Sequence, residues 1–261
     1  MVSLSEQRAI LTELHRLGAA DLAALWRLAH NAGDGFEFLV EAFPELVAQY
    51  GVTAAELSAL WYQEAAPHLA YAAVPAALPT LEQYAQSAKW ALSAADSTTA
   101  LDRLSGTLQR SVWGMARETT LLNADTEPGA RWARHASANA CEFCRMAATR
   151  GAVYTSKASA TRVVGRGKDT ATNFSADGTR RSGGQAKGIR VRGVQKVGDK
   201  YHDHCHCMAV PVRPGRAYQP PDYVEKWEQD YLAAVRATPA AGDHGAIDVK
   251  AVLSTMRRTA Q

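Results

Sequence analysis

Hydrophobic residues recur at three- and four-residue steps from Ser3 to about Asn123, which is the period of an amphipathic helix. The first half of the chain is therefore predicted to be a series of helices. The longest candidate runs from about Thr99 to Asn123, and we expect its apolar stripe to lie in a core. The stripe consists of Leu101, Leu104, Leu108, Val112 and Met115.

Local signals predict where these helices begin and end. A hydroxyl residue followed three positions later by Glu or Gln is typical of a capping box, and three such pairs occur: Ser3 with Glu6, Thr53 with Glu56, and Thr80 with Gln83. Glycine and proline predict the breaks, at Gly18, Gly33, Gly35, Pro44, Gly51, Pro75 and Pro79. One tryptophan on each candidate helix is expected to anchor the packing: Trp26, Trp61, Trp90 and Trp113.

After the turn signal at residues 127–129 the pattern changes to short strands and loops. We predict a short helix from Cys141 to Thr149 and strands at 151–154 and 208–212. Two amphipathic helices follow, one after Pro220-Pro221 and one at 247–258, and the sequence does not decide whether they pack on the rest of the chain or on another protein. The expected fold class is α+β, mainly α. The expected domains are a helical domain at 1–125, a metal-binding module at 126–220 and C-terminal helices at 221–261.

The four cysteines fall in only two places, a CxxC pair at Cys141 and Cys144 and a CxC pair at Cys205 and Cys207. Distant pairs of this kind are typical of segments that share one tetrahedral metal ion, and zinc suits thiolate and imidazole ligands. We predict a structural Zn²⁺ held by the four cysteines, with His202 replacing one sulfur or hydrogen-bonding to a ligand. The remaining histidines of the cluster, His204 and His206, are not expected to bind.

Four free thiols, or two disulfides, are the alternative to a metal site. The residues at 1–6 have neither the basic start nor the apolar core of a secretory signal, so we expect the chain to fold in a reducing cytoplasm, where disulfides are rare. A stretch long and apolar enough to cross a bilayer is also missing from the sequence, so no membrane contact is predicted.

Charge is strongly segregated although the chain carries only +3 overall. Residues 1–130 contain 7 Lys and Arg against 15 Asp and Glu, whereas residues 131–220 contain 17 against 5. A basic surplus of this size indicates contact with nucleic acid or with an acidic protein face, or else a solvated loop. Residues 157–200, with eight glycines and eleven Lys and Arg, are predicted to form a flexible arm. Its candidate contact residues are Arg180, Arg181, Arg190 and Arg192.

Catalytic motifs are missing from the sequence. There is no HExxH pattern, and the glycine-rich residues 162–170 lack both the first glycine and the Mg²⁺-binding hydroxyl of a phosphate loop. A metal whose four positions are all filled by protein has no open position to activate water. We therefore predict that the protein is not an enzyme.

Several of these features together resemble the MuF-like minor capsid proteins of tailed bacteriophages, in the form found in phages of actinobacteria. In that family a CxxC pair is followed at a distance by an H-x-x-C-x-C segment, which matches Cys141, Cys144, His202, Cys205 and Cys207. The resemblance is specific over residues 131–213, and the long arm is a departure from it. The other residues that carry it are Trp132, Arg150, Tyr154, Tyr201 and Pro211.

This resemblance implies a protein of the capsid interior, present in the host cytoplasm during assembly and then in the virion at or near the portal vertex. It implies a role in head morphogenesis and in DNA packaging or ejection. The implied partners are the portal protein, the major capsid or scaffolding protein, and packaged DNA. The alternatives are a capsid maturation protease and a zinc-containing nucleic-acid-binding protein.

Overall fold

The fold is α+β and mainly helical, as the sequence predicts. The computed structural model describes residues 2–31, 34–94, 96–149, 151, 162–164, 168–169, 189–190, 194–196, 205–239 and 247–259. Within these ranges lie seven helices: α1 Leu4–Asn31, α2 Gly35–Ala65, α3 Leu81–Leu92, α4 Ser97–Thr126, α5 Glu142–Ala148, α6 Tyr223–Ala237 and α7 Val249–Thr259. None of these helices combines the length and the apolar content that a bilayer crossing requires.

The strands form three small antiparallel pairs. β1 pairs with β6 so that Arg131 lies opposite Val212 and His135 opposite Met208. The other four strands fall within the segment predicted as a flexible arm, where β2 pairs with β5 and β3 with β4. Most of that segment lies outside the described residues. The strands are β1 Arg131–His135, β2 Arg162–Val164, β3 Lys168–Asp169, β4 Ile189–Arg190, β5 Val194–Lys196 and β6 Met208–Val212.

The chain divides into two compact units. The first, the helical unit, comprises Met1–Ala140, Gly151–Ser156 and Tyr201–Gln219, and the second, the C-terminal unit, comprises Cys141–Arg150, Lys157–Lys200 and Pro220–Gln261. The three domains predicted from the sequence remain a prediction.

In the helical unit α2 packs against α1, α3 and α4 and the β1–β6 pair packs against α4. The apolar stripe predicted on α4 supplies part of this core. Leu104, Leu108 and Val112 are fully buried, Met115 is buried, and Leu101 is partly buried against the same cluster. The strand predicted at 208–212 is also present. Its partner β1 was not predicted, and the other strand predicted, 151–154, lies outside the described residues apart from Gly151.

Two of the three predicted helix starts are confirmed. The amide of Ser3 donates to the Glu6 carboxylate at 2.7 Å while the Glu6 amide donates to the Ser3 hydroxyl at 3.2 Å, and Thr80 and Gln83 form the same reciprocal pair. The start predicted at Thr53 is wrong. Thr53 lies inside α2, where its hydroxyl donates to the Gln49 carbonyl one turn earlier.

Three of the predicted breaks are also wrong, because Gly18 lies inside α1 and both Pro44 and Gly51 lie inside α2. As a result α2, with 31 residues, is one residue longer than α4. The two glycines are explained by packing. A Cβ at Gly18 would meet the Tyr50 ring and Leu108 at 3.1–3.2 Å, and a Cβ at Gly51 would meet the Ser111 hydroxyl at 2.6 Å.

We expect Gly51→Ala to destabilise the helical unit by about 1–3 kcal/mol, which is the usual cost of an overpacked core. The Ser111 hydroxyl cannot simply turn away, because it is hydrogen-bonded to the Tyr84 hydroxyl at 2.9 Å and to the Val47 carbonyl at 3.3 Å. Urea unfolding of the variant measures the effect. Gly114→Ala on α4 is the control, since nothing lies within 4 Å of its added Cβ and alanine favours a helix. Equal stability of the two variants would contradict the packing argument.

The expectation that all four tryptophans anchor the packing is correct for three of them. Trp61 and Trp113 are buried, and Trp26 is partly buried against the core. Trp90 is 54% exposed, and the guanidinium of Arg103 lies 4.5 Å from its ring centroid. The helical period places Trp90 on the outer face of α3, where a cation–π contact covers it instead of the core.

In the C-terminal unit α5, α6 and α7 pack around a small apolar cluster. Met146 of α5, Ala234 of α6, and Val252 and Met256 of α7 are its buried members. Phe143 packs against them. The two C-terminal helices therefore form a core with α5, the short helix that carries the CxxC pair. The sequence alone did not decide whether they pack on their own chain or on another protein.

Candidate functional site

The CxC pair lies immediately before β6 and is held to α4 by one arginine. Arg117 is 4% exposed, and its Nε donates to the Cys207 carbonyl at 2.7 Å while its Nη2 donates to the Cys205 carbonyl. Both cysteines are buried. Because the arginine uses backbone oxygens, this contact fixes the segment without occupying either sulfur.

His206 lies between the two cysteines and turns outward. Its side chain is exposed, and its ring stacks on Trp113 with centroids 4.8 Å apart and an interplanar angle of 18°. Trp113 and Arg117 are four residues apart on α4, so they occupy neighbouring positions on one helix face. That face therefore contacts the CxC segment through both a ring and a charge.

The CxxC pair lies at the start of α5 in the C-terminal unit. Cys141 is the N-cap residue and is partly exposed, whereas Cys144 is 1% exposed. Between them, Glu142 accepts from Arg257 of α7 at 3.0 and 3.3 Å. This hydrogen-bonded ion pair lowers the pKa of Glu142 below its usual value. The C-terminal helix thus fixes the turn that carries the two cysteines.

None of the four cysteines forms a disulfide, so the disulfide alternative is not observed. Cys144, Cys205 and Cys207 form a group of three buried cysteines whose sulfurs lie close enough together to hold one metal ion. Cys141 is not a member of that group. Three buried thiols are a donor set that fits a soft or borderline metal such as zinc.

The other predicted site residues cannot be placed in the same way. His202, Arg180, Arg181 and Arg192 lie outside the described residues. Arg190 is the second residue of β4, and only its backbone is described.

A buried ion pair that no sequence motif indicates links the end of β6 to the helices. Arg213 is 1% exposed, and its guanidinium donates to the Glu127 carboxylate at 2.6 and 2.8 Å. It also donates to the Ala66 carbonyl at 3.0 Å. The Tyr62 hydroxyl donates to Glu127 at 2.7 Å, and burial together with this bond raises the pKa of Tyr62. Glu127 belongs to the Glu-Pro-Gly turn signal, which gives no indication that its charge is buried.

His135, at the end of β1, is a half-buried polar residue that the sequence did not single out. Its Nδ1 shares a hydrogen bond with the Tyr218 hydroxyl at 3.0 Å. Burial, and then the nearby charge of Arg8, lower the pKa of His135 to about 4. Two buried guanidinium nitrogens of Arg8 have no hydrogen-bond partner among the described residues.

We expect His135 to make the helical unit acid-sensitive. Between the usual histidine pKa of 6.5 and a folded-state pKa of about 4, the unfolded chain binds a proton that the folded chain does not, so stability falls as the pH falls through this window. The loss reaches about 3 kcal/mol, since each pKa unit corresponds to about 1.4 kcal/mol. Unfolding in urea at a series of pH values, compared with His135→Gln, isolates the effect. Parallel pH profiles for the two proteins would contradict it.

Comparison with known proteins identifies a family for this chain. Neither the curated proteins nor the solved structures contain a match to this chain. A family model with the description VG15 protein matches residues 2–234, which include the four cysteines, the β1–β6 pair and most of α6. The chain therefore belongs to the VG15 protein family, a family of viral and phage proteins.

Proposed function

We propose that the protein is a MuF-like minor capsid protein, a structural component of the head of a tailed phage that acts at the portal vertex. The observation that carries this proposal is the group of buried cysteines in a chain of a phage protein family. The cysteines are the residues through which the sequence resembles MuF-like proteins. The proposed role is in head morphogenesis and in packaging or ejection of DNA.

The cysteines are proposed to hold one structural zinc ion. Cys144, Cys205 and Cys207 would supply three ligands, and either Cys141 or His202 the fourth. The contacts of Arg117 with two carbonyls and of Arg257 with Glu142 support this assignment, because both hold the cysteine segments through atoms other than sulfur. Four protein ligands leave no open position on the metal, so we propose a stabilising role and no catalysis.

The distribution of charge supports a bridge between protein and DNA inside the capsid. Residues 1–130 carry a net charge of −8 and residues 131–220 carry +12. We propose that the acidic helical part binds the portal protein, or the major capsid or scaffolding protein, and that the basic segment binds packaged DNA. Contacts of basic side chains with phosphates weaken steeply as salt rises, so binding of DNA by the basic segment should depend strongly on salt.

Coexpression with the portal protein of the same phage tests the proposal. We expect the two proteins to copurify at low salt with zinc present, and the purified chain to bind double-stranded DNA with a steep salt dependence. Changing Arg180, Arg181, Arg190 and Arg192 to alanine serves as the matched variant, which should lose affinity for DNA and still bind the portal. Failure to bind the portal would contradict the proposed location. Cleavage of coexpressed major capsid protein would instead support a maturation protease.

A further inference from the structure

The helical unit contains a cavity of about 280 Å³ that the cysteines and the charge pattern do not explain. Helix α1 contributes Leu4 and Leu11 to its wall, α2 contributes Trp61, and α4 contributes Ala116. The segment 207–211, which comprises Cys207 and the first four residues of β6, forms another part of the wall. A mainly apolar lining of this size accommodates a few aliphatic side chains.

The cavity follows the edge of β6. Successive side chains of a strand point to opposite faces of the sheet. A cavity on one face would therefore contact only every second residue, whereas a cavity along the edge of the strand contacts all five. β6 pairs with β1 on its other side, with Pro211 opposite Trp132 and Ala209 opposite Arg134. The edge of β6 that faces away from β1 is therefore the edge that borders the cavity.

The pairing also determines which backbone groups point toward that edge. In an antiparallel pair, opposing residues alternate between those that exchange hydrogen bonds and those that do not. Pro211 has no N–H, so Pro211 and Trp132 must be an opposing pair that does not exchange hydrogen bonds. Because the two kinds of pair alternate, Ala209 and Arg134 are also a pair that does not exchange hydrogen bonds. The N–H and C=O of Ala209 consequently point away from β1.

Arg117 provides independent support for this alternation. Cys207 and Cys205 lie two and four residues before Ala209, so their carbonyls are expected to point in the same direction as the carbonyl of Ala209. Both cysteine carbonyls accept from Arg117, and Arg117 borders the cavity. Apart from the backbone hydrogen bonds of the β1–β6 pair, Ala209 makes no hydrogen bond to another described residue. The N–H and the C=O of Ala209 therefore face the mainly apolar cavity.

We propose that this edge of β6 is a strand-addition site for an extended apolar segment of a partner protein. Main-chain groups of such a segment would exchange both hydrogen bonds with Ala209, and its alternate side chains would fill the cavity. A fatty acid fills the same volume but cannot donate and accept in this spacing. Arg216, which is exposed, borders the cavity and makes no salt bridge among the described residues, so the segment carries a carboxylate at that end.

Binding of short peptides to the full chain tests the site, with tryptophan fluorescence as the readout because Trp61 and Trp113 border the cavity. The probes are acetylated hexapeptides of alternating valine and threonine with glutamate at one end. The matched control has the same sequence with one central amide N-methylated. We expect N-methylation to weaken binding at least fivefold, which is the value of about one hydrogen bond. Equal binding of the two peptides, or no binding, would overturn the proposal.

Substitutions in the protein test the same contacts that the peptides test. Ala209→Pro removes the outward N–H and should also weaken peptide binding about fivefold, while Pro211 shows that proline is compatible with this edge. Ala116→Leu fills the cavity and should abolish binding, and Arg216→Glu should weaken the glutamate peptide about tenfold. If Ala209→Pro does not fold, the methylated peptide on the unmodified protein still decides. Binding of decanoate without binding of any peptide would assign the cavity to a lipid and overturn the proposal.

Discussion

Arg213→Met is expected to lower the free energy of unfolding of the helical unit by about 3–5 kcal/mol, a large part of the stability of an ordinary domain. The substitution keeps most of the side-chain volume but leaves the Glu127 carboxylate buried without its cation. It also leaves the Ala66 carbonyl without its donor. Removal of one partner of a buried pair costs this much because the remaining charge stays out of water. Urea unfolding followed by circular dichroism measures the loss.

Two controls separate the buried pair from a general effect of lost charge. Arg16→Met removes an arginine that pairs with Glu13 on the exposed surface of α1 in the same unit, and we expect no measurable change in stability. The double variant Arg213→Met, Glu127→Met should be more stable than Arg213→Met alone, because no uncompensated charge remains buried. A loss for Arg16→Met as large as that for Arg213→Met would contradict the argument.

Most of the helical architecture could be predicted because its signal is local. The apolar stripe at Leu104, Leu108 and Val112 repeats with the helical period, and the capping boxes at Ser3 and Thr80 are formed by residues three positions apart. Gly51 and Gly18 could not be interpreted in the same way. A glycine that ends a helix and a glycine that admits a neighbouring helix look alike in a single sequence, and only the distance to Ser111 or Tyr50 tells them apart.

The buried charges could not be predicted for a related reason. Arg117 and Arg213 are two of 29 Lys and Arg residues, and each is buried because backbone carbonyls from distant parts of the chain converge on it. Nothing in the neighbouring sequence encodes that convergence. Cysteine spacing, in contrast, did indicate that the two pairs belong together, because thiolates in two remote pairs are typical ligands of one metal. The structure agrees with that prediction for three of the four sulfurs, those of Cys144, Cys205 and Cys207.

Cys207→Ser is expected to abolish metal binding and to leave the cysteine-bearing segments unfolded. On the proposed assignment, elemental analysis of the native protein finds about one zinc per chain, the usual content of a single four-ligand site. Structural zinc contributes about 10–16 kcal/mol in small zinc-binding peptides, which exceeds the stability of most domains. Loss of one sulfur from the buried group therefore removes more free energy than the surrounding contacts supply. Metal content and hydrogen exchange of the amides near Cys144 and Cys205 measure the result.

His206→Ala is the matched control, since it changes the residue between Cys205 and Cys207 and leaves both sulfurs in place. The ring of His206 stacks on Trp113, so the variant loses a surface contact and should keep its full zinc content. Comparing Cys141→Ser with Cys144→Ser then identifies the fourth ligand. Loss of zinc in both variants assigns the position to Cys141, whereas loss in Cys144→Ser alone leaves it to His202. Native protein without bound metal, or Cys207→Ser with its metal retained, would refute a shared zinc site.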